Sequence, residues 1–292
     1  MTSPASETSP RRSFFGDLFE VAGDLFRYRE LLAELALRDL RIRYKQAVMG
    51  VAWAILMPLV VALAGWTIRL AIGFAAGAPV PPRDLAYVAI KAVAWSFFVG
   101  ALGFGTASIT ANLPLVTKVY FPRHILPLSA VATQIVDTGI GAIALVVILP
   151  LLGVRASPAM IWLPILLLEL VLLTVAFTLL ASCANVFFRD ARHLVQLVVS
   201  FGIFFTPVFF NADAFGAGGA GFLLGNPLGP ILEGLRLVLV DGHSLSIPLR
   251  GNQGALVWSP WLLAWSGGWA LLGCAGAAVL FHRTEFAFAE SV

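Results

Sequence analysis

The chain has 292 residues, of which 59% are hydrophobic and only 12% are charged, and its formal net charge is +3. This composition excludes an ordinary soluble domain, because a folded chain of this size cannot hide so much apolar surface from water. The apolar residues fall in blocks of about 20, the length of a helix that spans a bilayer. We predict an all-α integral membrane protein, since a barrel would show short alternating strands.

The N-terminal segment, residues 1–47, is predicted to be a cytoplasmic tail that leads into an amphipathic helix on the membrane surface. Its first 13 residues hold no apolar run, so no cleaved signal peptide is predicted. Between Phe14 and Leu35 apolar side chains recur at helical spacing, with acidic residues on the other face. One or two such helices can contact lipid with one face and a soluble partner with the other.

Six membrane-spanning helices are predicted within residues 48–292, which also include a cytoplasmic loop at 111–124 and an outer loop at 211–257. The predicted spans are Val48–Ala76, Leu85–Thr110, Ile125–Gly153, Met160–Phe187, Leu194–Phe210 and Trp258–Phe281. The apolar stretch Phe222–Val240 is interrupted by glycines and prolines. It could form a full span, but two half-helices that enter and leave one leaflet fit better, because irregular backbone at that depth needs protein or water cover.

The Lys and Arg residues near the spans predict the orientation, because cytoplasmic loops carry the excess of these residues. Thirteen of them lie on the side of the N-terminal segment and four on the other, so both termini are predicted to be cytoplasmic. The larger set is Arg11, Arg12, Arg27, Arg29, Arg38, Arg41, Arg43, Lys45, Lys118, Arg123, Arg189, Arg192 and Arg283; the smaller is Arg83, Arg155, Arg236 and Arg250.

Motifs for catalysis or nucleotide binding are absent from the sequence. It has no GxxxxGK[ST] phosphate loop, no HExxH, no GxSxG and no paired cytoplasmic carboxylates. Cys183 and Cys274 lie in apolar blocks without metal-ligand spacing and are predicted to be small core residues. We therefore expect no enzymatic activity, no metal and no cofactor in this chain; any ATP would be bound by another subunit.

Several runs of sequence, in the same order and spacing, resemble the ABC-2 family of permeases. These runs are RDLRIRYKQAVMGVAWAILMPL (Arg38–Leu59), LVTKVYFPRHILPLSAV (Leu115–Val131), FFRDARHLVQL (Phe187–Leu197), NPL (Asn226–Leu228) and EFAFAE (Glu285–Glu290). More narrowly, the chain resembles the membrane subunits of exporters of O-antigen, capsular polysaccharide and wall teichoic acid. Any one run would be weak, but together they cover nearly the whole chain.

The resemblance implies a function and a set of partners. It implies a subunit that exports a lipid-linked polysaccharide from the cytoplasmic side across a bacterial inner membrane. Two copies of this chain would assemble with two ATPase subunits, which bind ATP and Mg. Membrane lipid is a further expected partner, and nucleic acid is not. Alternatives are an ABC-2 exporter of drugs or lipids and, less well supported, a membrane-embedded transferase, for which the outer loop offers only scattered polar residues.

The resemblance also assigns the loop Val116–His124 as the coupling element that docks on the ATPase. Its two cations could pair with acidic groups there, its two aromatic residues supply an anchor of the hot-spot type, and its proline turns the chain into the third span. Without the resemblance, the loop is explained equally well as a basic cytoplasmic loop of the kind that the positive-inside rule predicts. The predicted coupling residues are Lys118, Tyr120, Phe121, Pro122 and Arg123.

The end of the interfacial helix carries a second predicted site. Arg41, Arg43, Tyr44 and Lys45 stand just before the first span, where they could attract a pyrophosphate or an anionic lipid headgroup. The alternative is that these cations only determine topology.

Charged residues inside the predicted spans have several possible roles. Arg69 is predicted to snorkel to the outer interface, and Lys91 either to snorkel or to contact an anionic glycan or a carboxylate. Asp137 and Glu169 are predicted near mid-bilayer, where a carboxylate suggests function. They could form the proton relay of a secondary transporter, although the halves of the chain show no internal repeat. For Asp137 we favour hydrogen bonds within the bundle, and Glu169 has no settled role.

The fifth predicted span is rich in phenylalanine. Phe201, Phe204, Phe205 and Phe209, together with Lys91, are candidate conduit residues, because aromatic faces suit the apolar faces of sugar rings. The alternative is ordinary packing between helices or at the membrane interface.

Overall fold

The computed structural model describes residues 13–45, 49–75, 77, 79–251, 256–285 and 288. Predictions that involve Arg11, Arg12 and most of the EFAFAE run therefore lie outside the described residues.

Two helices precede the spans, α1 (Phe14–Arg27) and α2 (Arg29–Tyr44). Helix α1 is amphipathic, but it turns its acidic side toward the protein, where Asp17 is buried and accepts a hydrogen bond from Arg283 at 2.6 Å. Phe15, Phe19 and Phe26 recur at helical spacing on the opposite side and are exposed. An exposed aromatic stripe of this kind suits a membrane surface, as predicted for this segment.

In the part of the chain that the structure describes, five helices are long and apolar enough to span a membrane, which agrees with the predicted all-α integral membrane class. They are α3 (Ala52–Ala75), α4 (Arg83–Thr106), α7 (Ile125–Leu151), α8 (Leu163–Phe187, preceded by a 3-10 turn over Pro158–Trp162) and α12 (Pro260–Thr284). Helix α4 lies at the centre of the bundle and is buried along most of its length, whereas α3 and α7 expose apolar side chains.

The fifth predicted span is shorter than expected. It consists of α9 (Ala191–Gly202) and a 3-10 turn (Ile203–Phe205), which together are shorter than the roughly 20 residues of a straight span. The chain continues without a helix as far as Asn211, which contacts Arg69 near the far end of α3. A short helix and an irregular segment therefore make this crossing together.

The interrupted apolar stretch forms two helices that bend sharply. After a 3-10 turn (Ala212–Phe215), α10 (Gly216–Gly225) and α11 (Leu228–Arg236, continued by a π-helical turn over Leu237–Asp241) meet at 108°. Gly242, with a φ of +65°, ends the second helix. Asn211 and Asp241 flank the pair and both contact residues beside the α3–α4 connection, so the pair enters and leaves at one face. This geometry matches the predicted re-entrant half-helices.

Two short elements follow α4, and two follow α11. Helices α5 (Ser108–Ala111) and α6 (Leu113–Lys118) lead into the loop before α7, and strands β1 (Leu249–Arg250) and β2 (Leu256–Trp258) pair antiparallel before α12.

The bundle has two distinct ends. We call the end that carries α1, the loop of residues 112–124 and the end of α12 the coupling face, because Arg283 contacts Asp17 and Arg123 contacts Glu285 there. The end that carries the α3–α4 connection and Asp241 is the opposite face. That the coupling face is cytoplasmic stays a prediction from the charge distribution.

Candidate functional site

The loop of residues 112–124 is anchored by one aromatic residue and presents another. Phe121 is only 7% exposed and lies in a cluster of buried side chains with Ile109, Ile125 and Phe281. Tyr120, its neighbour, is 94% exposed, and Lys118 at the end of α6 is also exposed. Of the two aromatic residues predicted to contact a partner, only Tyr120 is therefore accessible from outside.

The rest of the loop is fixed to the end of α12. The Arg123 guanidinium donates a hydrogen bond to the Glu285 carbonyl oxygen, and the Arg123 backbone N–H donates to the Glu285 carboxylate at 3.3 Å. Pro122 is half-buried at this junction. Arg123 therefore holds the loop in place from within the chain, and Lys118 is the cation that faces outward.

Two imidazoles lie beneath this junction. The His124 ring is buried against Phe281, with ring centroids 6.4 Å apart. Burial, together with neighbouring His282, lowers the pKa of His124 to about 4, so this ring is neutral at pH 7. His282 lies between Glu285, at 3.3 Å, and Glu20 of α1, at 3.4 Å. Burial also raises the pKa of Glu285. The junction joins α1, α12 and the loop.

The four residues of the second predicted site, at the end of α2, lie in two different environments. Arg43 donates to Asp137 of α7 at 3.0 Å and to Gln134 at 3.3 Å, and the Tyr44 hydroxyl also bonds to Asp137. Gln134 donates to the same carboxylate. These contacts agree with the favoured interpretation of Asp137 as a carboxylate hydrogen-bonded within the bundle, and they engage two of the four predicted headgroup residues.

The other two cations of α2 are exposed. Arg41 and Lys45 line an open hollow of about 830 Å³, together with Tyr44, Arg38 and Glu34. Among the described residues, no ion pair involves Arg41 or Lys45, whereas Arg38 pairs with Asp39. This hollow therefore retains a surplus of positive charge.

An ion-pair network on the opposite face surrounds Lys91. Its ammonium lies 2.7 Å from the carboxylate of Glu233 on α11, and both side chains are at most 1% exposed. Arg236 binds the other oxygen of Glu233 at 2.7 Å and also pairs with Asp241 at 2.6 Å. Lys91 additionally donates to the carbonyl of Phe210 at 3.1 Å. Lys91 was predicted to snorkel or to contact an anionic glycan or a carboxylate, and in the structure it contacts the carboxylate of Glu233.

Arg69 extends this network to α3. It pairs with Asp84 at 2.7 Å and donates to the Asn211 side chain and to the carbonyl of Phe209. Lys91 and Arg69 together tie α3, α4 and the re-entrant pair to the irregular end of the fifth crossing. Because every cation here has an acidic partner, the network is a structural connection between these elements.

Glu169 lies apart from Asp137. Its carboxylate accepts a hydrogen bond from Ser266 of α12 at 2.7 Å, and Gly267 leaves room for it. Asp137 is bound by residues of α2 and α7 instead. The two carboxylates therefore belong to separate hydrogen-bond groups, which gives no support to a proton relay between them.

Helix α9 presents three different faces. Ala191, Val195 and Val199 pack toward α4 and α8. A second face carries Arg192, Gln196 and Ser200, and all three are exposed. The third face is apolar and exposed, and it includes Leu194, Leu197, Val198 and Phe201; Phe204 and Phe205, also exposed, follow in the 3-10 turn.

Phe209 differs from the other candidate conduit residues. It is buried against Phe204, with ring centroids 6.1 Å apart, and beside Gly65 of α3. Phe201, Phe204 and Phe205 remain the exposed members of the set.

The sequence contains one signal for the opposite-face network. Glu233 and Arg236 stand three residues apart in the apolar stretch Phe222–Val240. An acid and a base three residues apart in an apolar stretch are an expensive combination in a membrane. That combination indicates a buried partner such as Lys91.

Comparisons with known proteins agree with this architecture. The sequence profile of the family described as "ABC-2 type transporter" matches residues 30–240. The O-antigen export system permease protein RfbA of Klebsiella pneumoniae is 26% identical over 219 residues, which cover 73% of this chain and 81% of that protein. The RfbA permease of Myxococcus xanthus is 26% identical over 193 residues, 66% of this chain and 73% of its own length. The chain belongs to the ABC-2 family of membrane transport proteins.

Proposed function

We propose that this chain is the membrane subunit of an ATP-driven exporter that moves a lipid-linked polysaccharide from the cytoplasmic side across the bacterial inner membrane. The glycan would be of the O-antigen, capsule or teichoic-acid type, as in the relatives named O-antigen export permeases. Two copies of this chain would form the conduit, and two ATPase subunits would dock below and bind ATP and Mg.

The main support for the proposal is the way in which the loop of residues 112–124 exposes one aromatic side chain and holds its neighbours inside. Tyr120 projects from a short loop whose neighbours are held inside, Phe121 by the core and Arg123 by Glu285. An exposed aromatic residue on a rigid support is typical of a hot spot for protein binding. The Arg38 side chain also binds Asn112 at 3.0 Å, which links the loop to α2. A displacement of Tyr120 by a docked ATPase would therefore be transmitted to α2 and α12.

The three faces of α9 support a conduit formed by two copies. Gln196 and Ser200 are exposed further along α9 than Arg192, which is in its first turn, and polar groups there would be costly against lipid. We therefore place this face beside water or polar cargo. The apolar face with Phe201 and Phe204 would then contact the second copy or the apolar faces of sugar rings.

The cationic hollow supports a cytoplasmic entry point for the cargo. Arg41 and Lys45 are exposed, and Arg43 and Tyr44 are engaged with Asp137. We therefore assign the diphosphate of the cargo to the first two residues, since exposed cations bind phosphate without first breaking an ion pair.

The test is co-purification with an ATPase encoded beside this gene, comparing wild type, Tyr120→Ala and Phe74→Ala. Phe74 is 90% exposed at the far end of α3 and is the matched control. We expect Tyr120→Ala to lower the amount of bound ATPase on the order of tenfold or more, as for a hot-spot residue. We expect Phe74→Ala to leave it unchanged.

Two results would contradict the proposal. Equal ATPase binding by wild type and Tyr120→Ala would contradict docking at Tyr120. Absence of any ATPase partner would contradict the assignment as an ATP-driven exporter. Reconstituted complex that hydrolyses ATP without moving a lipid-linked glycan, while moving drugs or simple lipids, would change the substrate class alone.

A further inference from the structure

A groove on the coupling-face half of the bundle lies between α3, α4 and α7 and has a volume of about 470 Å³. At one end the polar group of Arg43, Tyr44, Gln134 and Asp137 lines it. The remaining wall is apolar and aromatic, and its main members are Trp53, Met57, Val61, Trp95, Val99 and Phe104.

The depth of the groove corresponds to one leaflet of a bilayer. Trp53 is in the first turn of α3 and Phe104 is in the last turn of α4, so both mark the coupling-face end. Val61 lies nine residues beyond the start of α3, or about 14 Å along it. Half of the hydrocarbon core is about 15 Å thick. The groove therefore begins with polar groups at one interface and ends with apolar ones near the midplane.

The polar end has unused donors. Among the described residues, the only hydrogen bonds of the Arg43 side chain are those that Nη1 donates to Asp137 and Gln134. The guanidinium carbon lies over the Phe104 ring, 4.2 Å from its centroid. The Nε and Nη2 hydrogens of Arg43 remain, and a planar pair of donors matches two oxygens of a phosphate. The side chain is 23% exposed, so part of it is open to a ligand.

The charge around the groove favours an anion. Tyr44 lines both this groove and the neighbouring hollow with Arg41 and Lys45, so the positive surplus of the hollow lies next to the polar end. Asp137 already has its charge balanced by Arg43 at 3.0 Å. Glu34 is the acid that faces the hollow. An arriving phosphate therefore meets net positive charge before it meets Arg43.

We propose that the groove binds a phosphate-bearing lipid of the cytoplasmic leaflet. Its phosphate accepts hydrogen bonds from Nε and Nη2 of Arg43, and one hydrocarbon chain lies along Val61, Trp95 and Val99. This lipid is a resident ligand, separate from the exported cargo. It holds the end of α2 against α3 and α7, and its binding needs neither the ATPase nor a glycan.

The experiment uses the full chain, purified alone in detergent and stripped of lipid. Dioleoylphosphatidylglycerol is added in one arm, dioleoylglycerol in a second and inorganic phosphate in a third. Native mass spectrometry counts retained molecules, and tryptophan fluorescence follows thermal unfolding. We expect retention and a raised melting temperature with the phospholipid only, because each of the other two probes fills half of the site.

Two variants and one control place the binding. Val61→Phe fills the groove, and Arg43→Lys keeps the charge opposite Asp137 while removing the planar donors. The control, Val60→Phe, introduces the same side chain at the preceding residue, which is exposed and does not line the groove. We expect phospholipid affinity to fall on the order of tenfold in Val61→Phe and several-fold in Arg43→Lys, with no change in Val60→Phe.

Three outcomes would overturn the proposal. Stabilisation by inorganic phosphate equal to that by phospholipid would make this a free-phosphate site. Equal retention of dioleoylglycerol would remove phosphate recognition. Unchanged phospholipid binding in Val61→Phe, with loss of a dimer that Val60→Phe retains, would make the groove an interface between copies of this chain.

Discussion

The two ends of the bundle differ in how deeply their ion pairs are buried. On the opposite face Arg69, Lys91 and Arg236 each pair with a carboxylate, and the pair of Lys91 with Glu233 is fully buried. On the coupling face Arg41 and Lys45 are exposed, and no ion pair involves them among the described residues. Paired and buried charges connect elements, whereas exposed and unpaired ones remain available to a ligand. Arg69, Lys91 and Arg236 are therefore structural cations, and Arg41 and Lys45 are candidate binding residues.

The difference also shows where the protein can move at low cost. Breaking the opposite-face network would leave charges in a low-dielectric interior, so α3, α4 and α11 are expected to move as one unit. Some contacts of the coupling face are partly exposed, such as that of Arg43 with Asp137, and water or phosphate can replace them. We expect conformational change to begin at the coupling face.

The largest expected effect comes from Glu233→Leu, which leaves two buried cations without their shared partner. We expect it to destabilise the chain by about 3–5 kcal/mol, the usual cost of an uncompensated buried charge. The double variant Lys91→Met/Glu233→Leu should recover most of this loss, because Arg236 keeps Asp241. Lys45→Met, a control at an exposed cation, should be nearly neutral. Thermal unfolding followed by tryptophan fluorescence checks all three, and equal stability of the single and double variants would contradict the pairing.

A smaller effect is expected at the coupling face from Asp137→Asn. The carboxylate is 14% exposed and accepts bonds from Arg43, Tyr44 and Gln134, so we expect a loss of about 1–3 kcal/mol. Glu169→Gln keeps an acceptor for Ser266 and should cost less. Transport by the assembled exporter should survive both changes. Loss of transport in both variants with unchanged unfolding temperatures would instead favour the proton-coupled hypothesis.

Much of the fold could be predicted from the sequence because hydrophobic length is a strong signal in membranes. The spans that became α3, α4, α7, α8 and α12 were predicted to within about one helical turn at each end. The re-entrant pair was predicted from Asn226-Pro227 and its glycines. The short α9 was not, because an apolar run does not tell where Gly202 and Pro207 end the regular helix.

The site was less predictable, because side-chain partners depend on how the helices pack. Lys91 and Glu233 are 142 residues apart in sequence, and no local pattern joins them. Arg43 and Arg41 look equivalent in the sequence, yet one pairs with Asp137 and the other faces the hollow. The burial of Phe121 beside exposed Tyr120 likewise follows from the packing of α12 under the loop.

The smallest expected effect is a pH-dependent change in folding stability that His124 causes at the coupling face. Its pKa is about 4 in the folded chain and about 6.5 when unfolded, because burial and His282 oppose its charge. The unfolded chain therefore binds the proton first as the pH falls, and the His124 contribution to stability declines from about pH 6.5 to about pH 4. Glu285, whose pKa is raised by burial, contributes the opposite trend in wild type and variant alike.

His124→Phe keeps a ring against Phe281 and removes the titration. At pH 7.5 the variant should match wild type closely, whereas at pH 5 it should be the more stable by about 1–2 kcal/mol. The measurement is the unfolding temperature across this range, made also on Lys45→Met as a control that keeps His124, Glu285, His282, Arg123 and Glu20. A variant slope equal to that of wild type would mean that His124 takes up its proton at the same pH in the folded and the unfolded chain. In that case charge at the coupling face would be balanced through the carboxylates of Glu285 and Glu20, and this end would resemble the opposite face more closely than the geometry indicates.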